Sequence, residues 1–552
     1  MAGGGRHGRG AGLVTGRSGR YEASGVRSTR WQARRLNSPN PLWGSNGVAF
    51  GPDGRLYVAQ FLAGQISAVD PATGDVEVVV PPDGPVQSPD DLAFGTDGSM
   101  YIADLVPGRV WRRSPDGGYG LVCDEVKVPN GITCVGDRLF VNEMRMNGRL
   151  LELFPEGGDP VVLTDGLALG NAMQLGPDGC LYYPHMVSRQ VWRIPPDGGV
   201  PEVVAEDVHD PVAVRFDQGG VLHVLSRGPE GIVTRVDLHG TGSRSLVTSG
   251  VTGLDNAAFD AENRMFVSSF ASGGITELRP DGRTRPVVPR GLDGPYGVTI
   301  DLGGTVYAAD HYRVARPEEP DAGASGDVTT EILQPFVHGI TADGEVLHTT
   351  SQFGTVQTYA PATGATRTRA TGLNQPLGIT VRPDGTLVVA ETGAGRVIAI
   401  DEADTVTVLA EGLDHPVDVT LDADGRCYVS DDRRGAVLRI DDGEPVPVAD
   451  GLGAPQGLAV HGDELFTVDT ANRRLWSVSL TTGGTRVEAE DLAVGIPRGS
   501  TPPRQAPALF AHGLPGVAPR FAGLTTAPDG SLLLSSNGEG TVVRLSPART
   551  GT

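Results

Sequence analysis

A segment of about 40 residues recurs roughly a dozen times along this chain, and no other feature restricts the fold as strongly. The run GVAFGPDGRLYVAQ at 47–60 is answered by LAFGTDGSMYIAD at 92–104, GITVRPDGTLVVAE at 378–391 and DVTLDADGRCYVS at 418–430. Each unit reads as four short strands: an apolar-polar run, a tight x-Asp-Gly turn, an alternating run, a Gly-containing loop, a third run, a second turn and a Val-rich closing run. Four strands in about 40 residues is the period of a propeller blade, so the expected class is all-β. Gly (79) and Pro (42) in 552 residues exceed average usage because so many turns must be made.

The residue heading the innermost strand of each unit sets a register: Asn46, Asp90, Asn130, Asn171, Val212, Asp255, Tyr296, then Phe336 or His338, and Leu377, Val417, Gln456 and Ala522. The last step is longer because a Pro-rich insertion near 491–520 interrupts the eleventh unit, and 313–327 in unit seven reads as a segment that loops out. Twelve blades close as one ring or as two rings of six. The final unit has three strands, and a closed ring completes such a blade with a strand from its own start, since an unpaired edge invites aggregation. The lone strand at 28–36 then opens the first ring and 283–292 opens the second. The expected organisation is two tandem six-bladed β-propellers, at 28–281 and 282–552, behind a disordered basic head at 1–27. A different strand exchange between the halves is the alternative.

Charge excludes some functions. With 67 acidic against 45 basic residues the net charge is −22, which argues against a nucleic-acid face. The head differs, with eight Arg in residues 1–40 against the single acid Glu22. It has no apolar stretch of a secretory leader, and no membrane-length apolar run exists, so a cytoplasmic protein without nucleic-acid or membrane partners is expected. Cys123, Cys134, Cys180 and Cys427 show no CxxC spacing and read as free thiols. GxSxG, Walker-type, HExxH and paired CxxC motifs are all missing.

In a propeller the heads of the inner strands converge on one mouth of the central channel. In the first half five of the six are oxygen donors (Asn46, Asp90, Asn130, Asn171, Asp255); in the second half they are mostly apolar. Any one Asn or Asp before a strand can simply bond its own backbone in an Asx-turn. The whole set is harder to explain so, because burying several amides and carboxylates together is costly unless they satisfy one another or a cation. A hard cation with six to eight oxygen ligands, Ca²⁺ above all, suits them; Mg²⁺, Mn²⁺ and Zn²⁺ are alternatives.

The Asn130-Gly131 pair, with Asn46-Gly47, Asp90-Asp91 and Asn171-Ala172 at the neighbouring inner-strand heads, resembles the motif order of the SMP-30/gluconolactonase/LRE family over about 40–310. The second half resembles it only as generic blades. The resemblance implies a six-bladed propeller with a divalent cation in the channel and lactone hydrolysis as a common activity. Only Asn130 matches a family ligand identically; Asn46 stands where the family has Glu and Asn171 where it has Asp, also the family's likeliest base. The implied metal set is Asn46, Asn130, Asn171 and Asp255, with Asp90, Asp91, Glu143 or His185 moving the proton. The cluster 310–312 belongs to the second ring under this division and stays outside the site.

Three functions follow as expectations: a metal-dependent lactonase-like hydrolase of a small cyclic ester; a metal-dependent lyase acting on a secondary metabolite, since the repeats also resemble streptogramin lyases; and a non-catalytic scaffold like NHL-repeat propellers, with a protein partner on the second ring.

Overall fold

The computed structural model describes residue 20 and residues 25–238, 243–317, 328–495 and 521–548. Most of the basic head, residues 318–327 of the segment expected to loop out and residues 496–520 of the Pro-rich insertion lie outside the described residues. The chain is all-β, with one 3₁₀ turn, Thr392–Ala394, among the described residues, and no helix there is long and apolar enough to cross a membrane.

The repeat becomes four-stranded antiparallel sheets because its turns are locally encoded. In the first unit Val48–Phe50, Leu56–Gln60, Gln65–Val69 and Val76–Val80 pair in that order. At its x-Asp-Gly turn Gly51 N–H donates to Arg55 O (2.9 Å), Asp53 Oδ1 accepts from Arg55 N–H (3.1 Å) and Gly54 takes the positive φ of 78° that the tight return requires. Five further sheets follow in chain order at 89–123, 129–168, 174–205, 211–248 and 254–288, blades 2 to 6. A seven-stranded sheet covers 298–370. Its long strand Val328–Asp343 is the outer strand of one unit and the inner strand of the next, so this sheet contains blades 7 and 8. Blades 9, 10 and 11 span 376–410, 416–449 and 455–490, and the last sheet pairs three strands of 524–547 with Trp31–Arg35.

The architecture is that of a β-propeller, with apolar faces of neighbouring sheets packed together. Blade 6 returns onto blade 1 through Leu42, Val48, Val58, Phe266 and Ile275, and Ser268 Oγ donates to Asn46 O (2.6 Å) across the seam. Blade 12 returns onto blade 7 through Leu36, Val298, Ala308, Leu533 and Val542, and Gly523 N–H donates to Tyr296 O (2.8 Å). The glycine after an inner-strand head lets the next blade approach: a Cβ on Gly47 would fall 2.3 Å from Asp91 Oδ1, and one on Gly378 2.1 Å from Asp418 Oδ1.

Three sequence expectations change. Trp31–Arg35 does not open the first ring; it pairs with Thr541–Pro547 as the fourth strand of the last blade. Thr284–Val288 does not open the second; it folds back on Ile275–Leu278. The division at 281/282 therefore cuts a hairpin turn closed by Arg279 N–H to Arg283 O (2.8 Å), with Gly282 at φ 87°. The local hairpin keeps its strand, and the three-stranded last blade takes the chain's distant start to cover its edge. At the uncertain register position it is His338, not Phe336, whose carbonyl accepts from Gly297 N–H (2.8 Å), as Asp90 O accepts from Gly47 N–H (2.7 Å). All four cysteines are free, Cys427 buried and the other three half-buried.

Candidate active site

The inner-strand heads of blades 1 to 4, Asn46, Asp90, Asn130 and Asn171, are buried together with Asp91, while Asp255 of blade 6 is half-buried. Asp90 Oδ2 accepts from Asn130 Nδ2 (2.5 Å), whose amide also meets the Met144 sulfur (3.2 Å). Asn171 turns away: its Oδ1 accepts from Ala172 N–H (2.6 Å) and its Nδ2 faces the sulfurs of Met144 and Met186 at 3.4 Å each.

One residue deeper, Asp91 is pinned by the N–H groups of Leu92 (2.9 Å) and Ile132 (3.3 Å) and by Asn256 Nδ2 (3.1 Å). Arg215, buried, donates to the carbonyls of Ala257, Met173 and Val214 and to Asn256 Oδ1 (2.5 Å). Burial pushes Asp91 up to about 6, with the Arg215 charge and the backbone donors opposing it. Asp90 is raised well above the ordinary carboxylate value by burial and then by the charges of Asp255 and Asp91. Asp255 is raised too, by burial and Asp91, with Arg227 and Arg215 pulling it back.

Two of the expected proton carriers make other contacts. Glu143 is held by Arg149 (Nη2 2.5 Å) and Lys127 N–H (3.0 Å), which bring it below its ordinary value although burial alone would raise it. His185 stacks on Trp192 (5.1 Å between centroids) beside Tyr183, and burial presses its pKa down to about 4.

One group missed by the sequence division is Tyr312, from the 310–312 cluster assigned outside the site. His311 at φ 54° turns the chain, the buried Asp310–Arg313 pair (2.9 Å) clamps the turn, and the Tyr312 ring packs edge-on against Phe270 of blade 6 (4.9 Å). Burial, and then the charges of Asp90 and Asp255, hold its phenol well above the usual value, so it stays protonated. The Arg227 guanidinium lies over the same Phe270 (5.4 Å). Arg215 and Asn256 follow the inner-strand heads Val212 and Asp255 by three residues and one, whereas Arg227 carries no such signal, and Tyr312 was set aside because the division placed its cluster in the other half of the chain.

The donors at this mouth are oxygens, the class a hard cation takes, but Asn171 Oδ1 is committed to its own backbone. Among the described residues no three His, Cys, Asp or Glu side chains form a metal-holding group.

The family model described as the SMP-30/Gluconolactonase/LRE-like region matches residues 339–552. The match falls on the half opposite to the one carrying the Asn130-Gly131 resemblance. No curated protein matches the chain. Solved structures similar to it include a streptogramin B lyase (18% identity, TM-score 0.38, covering 50% of this chain and 94% of that one). A catalytically inactive virginiamycin B lyase from Staphylococcus aureus with quinupristin has 16% identity and a TM-score of 0.38, over 50% of this chain and 96% of that one. The extracellular domain of a hybrid two-component system from B. thetaiotaomicron has 10% identity and a TM-score of 0.33, over 95% of this chain and 82% of that one.

Proposed function

We propose, from the match of residues 339–552 to the SMP-30/gluconolactonase/LRE-like region and from the carboxylates at the first mouth, that this protein is a small-molecule hydrolase built from two six-bladed propellers. Blades 1 to 6 form the first ring and blades 7 to 12, completed by Trp31–Arg35, the second; the seams of blade 6 on blade 1 and blade 12 on blade 7 support this division. The substrate class is a cyclic ester, opened in lactonase fashion.

The observation that carries the reading is a cluster of aspartates in a mouth lined by amides, where Asp255 and Asp91 add to the burial that raises Asp90, and Asp91 adds to the burial that raises Asp255. A buried carboxylate raised by neighbouring carboxylates is relieved either by a shared proton or by a cation between them. With the proton, Asp255, the more exposed and the closer to arginine charge, takes a proton from the attacking water. Asp90 gives its own proton to the departing alkoxide, and transfer from Asp255 to Asp90 resets the pair. Asp91, fixed by Asn256 and backbone donors and favoured by the Arg215 charge, keeps the negative charge that makes the pair hold its proton. A divalent cation, Ca²⁺ for an all-oxygen set, fits Asp90 and Asp255 with Asn46 and Asn130; bound there it would polarise the ester carbonyl.

The test is hydrolysis of a panel of aliphatic and aromatic lactones, followed by pH-stat with Ca²⁺, Mg²⁺, Mn²⁺, Zn²⁺ or EDTA, alongside metal content. Wild type should open at least one lactone, and Asp90→Asn and Asp255→Asn should each lose about 100-fold or more. Turnover of no lactone under any metal condition, or unchanged turnover in both variants, removes this reading.

A further inference from the structure

The second ring's channel carries a site unrelated to the first mouth. Three residues after each inner-strand head stand Thr299, Thr341, Thr380, Thr420 and Thr525, with Ala459 in blade 11; the first ring has there Ala49, Ala93, Thr133, Gln174, Arg215 and Ala258. The five threonines line a narrow cavity of about 70 Å³ together with one carboxylate, Asp418. At the mouth side Tyr296, Leu377, Val417 and Phe521 pack into an apolar plug.

Asp418 is held just as Asp91 is in the first ring. Its Oδ1 accepts from Val419 N–H (2.9 Å) and its Oδ2 from Leu458 N–H of the next blade (2.8 Å); Asp91 accepts from Leu92 and from Ile132 of its next blade. The two differ in what answers the charge. Three blades across from Asp91, at the threonine level, is Arg215, and Asn256 adds an amide. Three blades across from Asp418 is Thr299, and the groups acting on Asp418 are backbone N–H donors with no cationic side chain. Two N–H donors favour the ionised carboxylate, while burial without a counter-charge opposes it. The threonines around the cavity bring neutral oxygen ligands, Thr299 Oγ1 already accepting from Ala342 N–H (3.0 Å), and the cavity has room for an ion and a few waters.

We propose that the second propeller's channel holds one monovalent alkali cation, Na⁺ or K⁺, between Asp418 and the threonine hydroxyls, doing there what Arg215 does in the first channel. A single carboxylate whose oxygens already accept backbone bonds matches one positive charge. It is a weak site for a divalent ion, which sheds its water reluctantly.

Two measurements decide it. In crystals grown in choline chloride and soaked in a Tl⁺ salt, an anomalous peak is expected beside Asp418. At pH 8 and constant ionic strength, replacing choline by Na⁺ or K⁺ should raise Tm by about 3–6 °C in wild type, and by under about 1 °C in Asp418→Asn. If that variant does not fold, Thr380→Val/Thr420→Val, which keeps Asp418, should lose most of the shift. No Tl⁺ peak, or a Tm that is equal in choline and in both alkali salts, overturns the proposal and leaves Asp418 answered by its backbone donors and water alone. Neither result depends on lactone chemistry at the first mouth.

Discussion

Two of the residues at the first mouth have opposite energetic roles. Asp90 is a buried carboxylate raised by Asp255 and Asp91, so its folded pKa lies above its unfolded one. Such a group costs nothing below about pH 4, where both states are protonated, and destabilises progressively as pH rises toward its folded pKa. Asp90→Asn should therefore leave stability at pH 4 unchanged and raise it at pH 7.5, in urea unfolding at the two pH values, while lactone turnover falls. Arg215 is the reverse case, because removing it leaves Asp91 buried without its counter-charge. Arg215→Met should lose about 3–5 kcal/mol in the same assay at pH 7.5. His185, stacked on Trp192 and neutral, is not needed in the acid-base scheme, so His185→Phe should keep turnover within about threefold, measured on the best lactone of the panel.

At the scale of elements, the hairpins are self-contained and the last blade is not. Trp31–Arg35 is its fourth strand, with Trp31 edge-on to Phe466 (5.7 Å) and its indole N–H on Glu488 (2.9 Å). A chain starting at residue 37 exposes Thr541–Pro547 as an open edge beside the Leu534, Val543 and Leu545 core. It should self-associate by light scattering, and a peptide of residues 25–36 added in trans should restore a single species. The turns that make these hairpins were legible residue by residue, since Asp53-Gly54 and its equivalents act on their own neighbours. The channel threonines were equally legible, being three places from heads the register already identified.

For the whole molecule, the two halves of the chain are tied by their connections. Arg20 donates to the carbonyls of Leu42, Leu292 and Asn537, drawing the chain's start, the linker and the last blade together, and Asn40 Nδ2 meets Asp293 Oδ1 (3.2 Å). The sheets of blades 1 to 6 take no strand from elsewhere, so on the proposed division residues 37–292 expressed alone should unfold cooperatively by calorimetry; they lack Tyr312. Tyr312→Phe in the full chain should lower turnover about tenfold with Tm within about 1 °C, the mark of a group contributed to the site rather than to the fold. The sequence by itself determined the class, the unit, the register and the contrast in polarity between the strand heads of the two halves, because hairpin pairing and strand periodicity are short-range and repeat every 40 residues. Only the tertiary structure decided which blade the first strand completes and where Arg215 and Tyr312 meet the aspartates. Those contacts join residues from about 120 to more than 500 positions apart, and no local pattern encodes them; they follow from how complete blades pack and from which edge is left open.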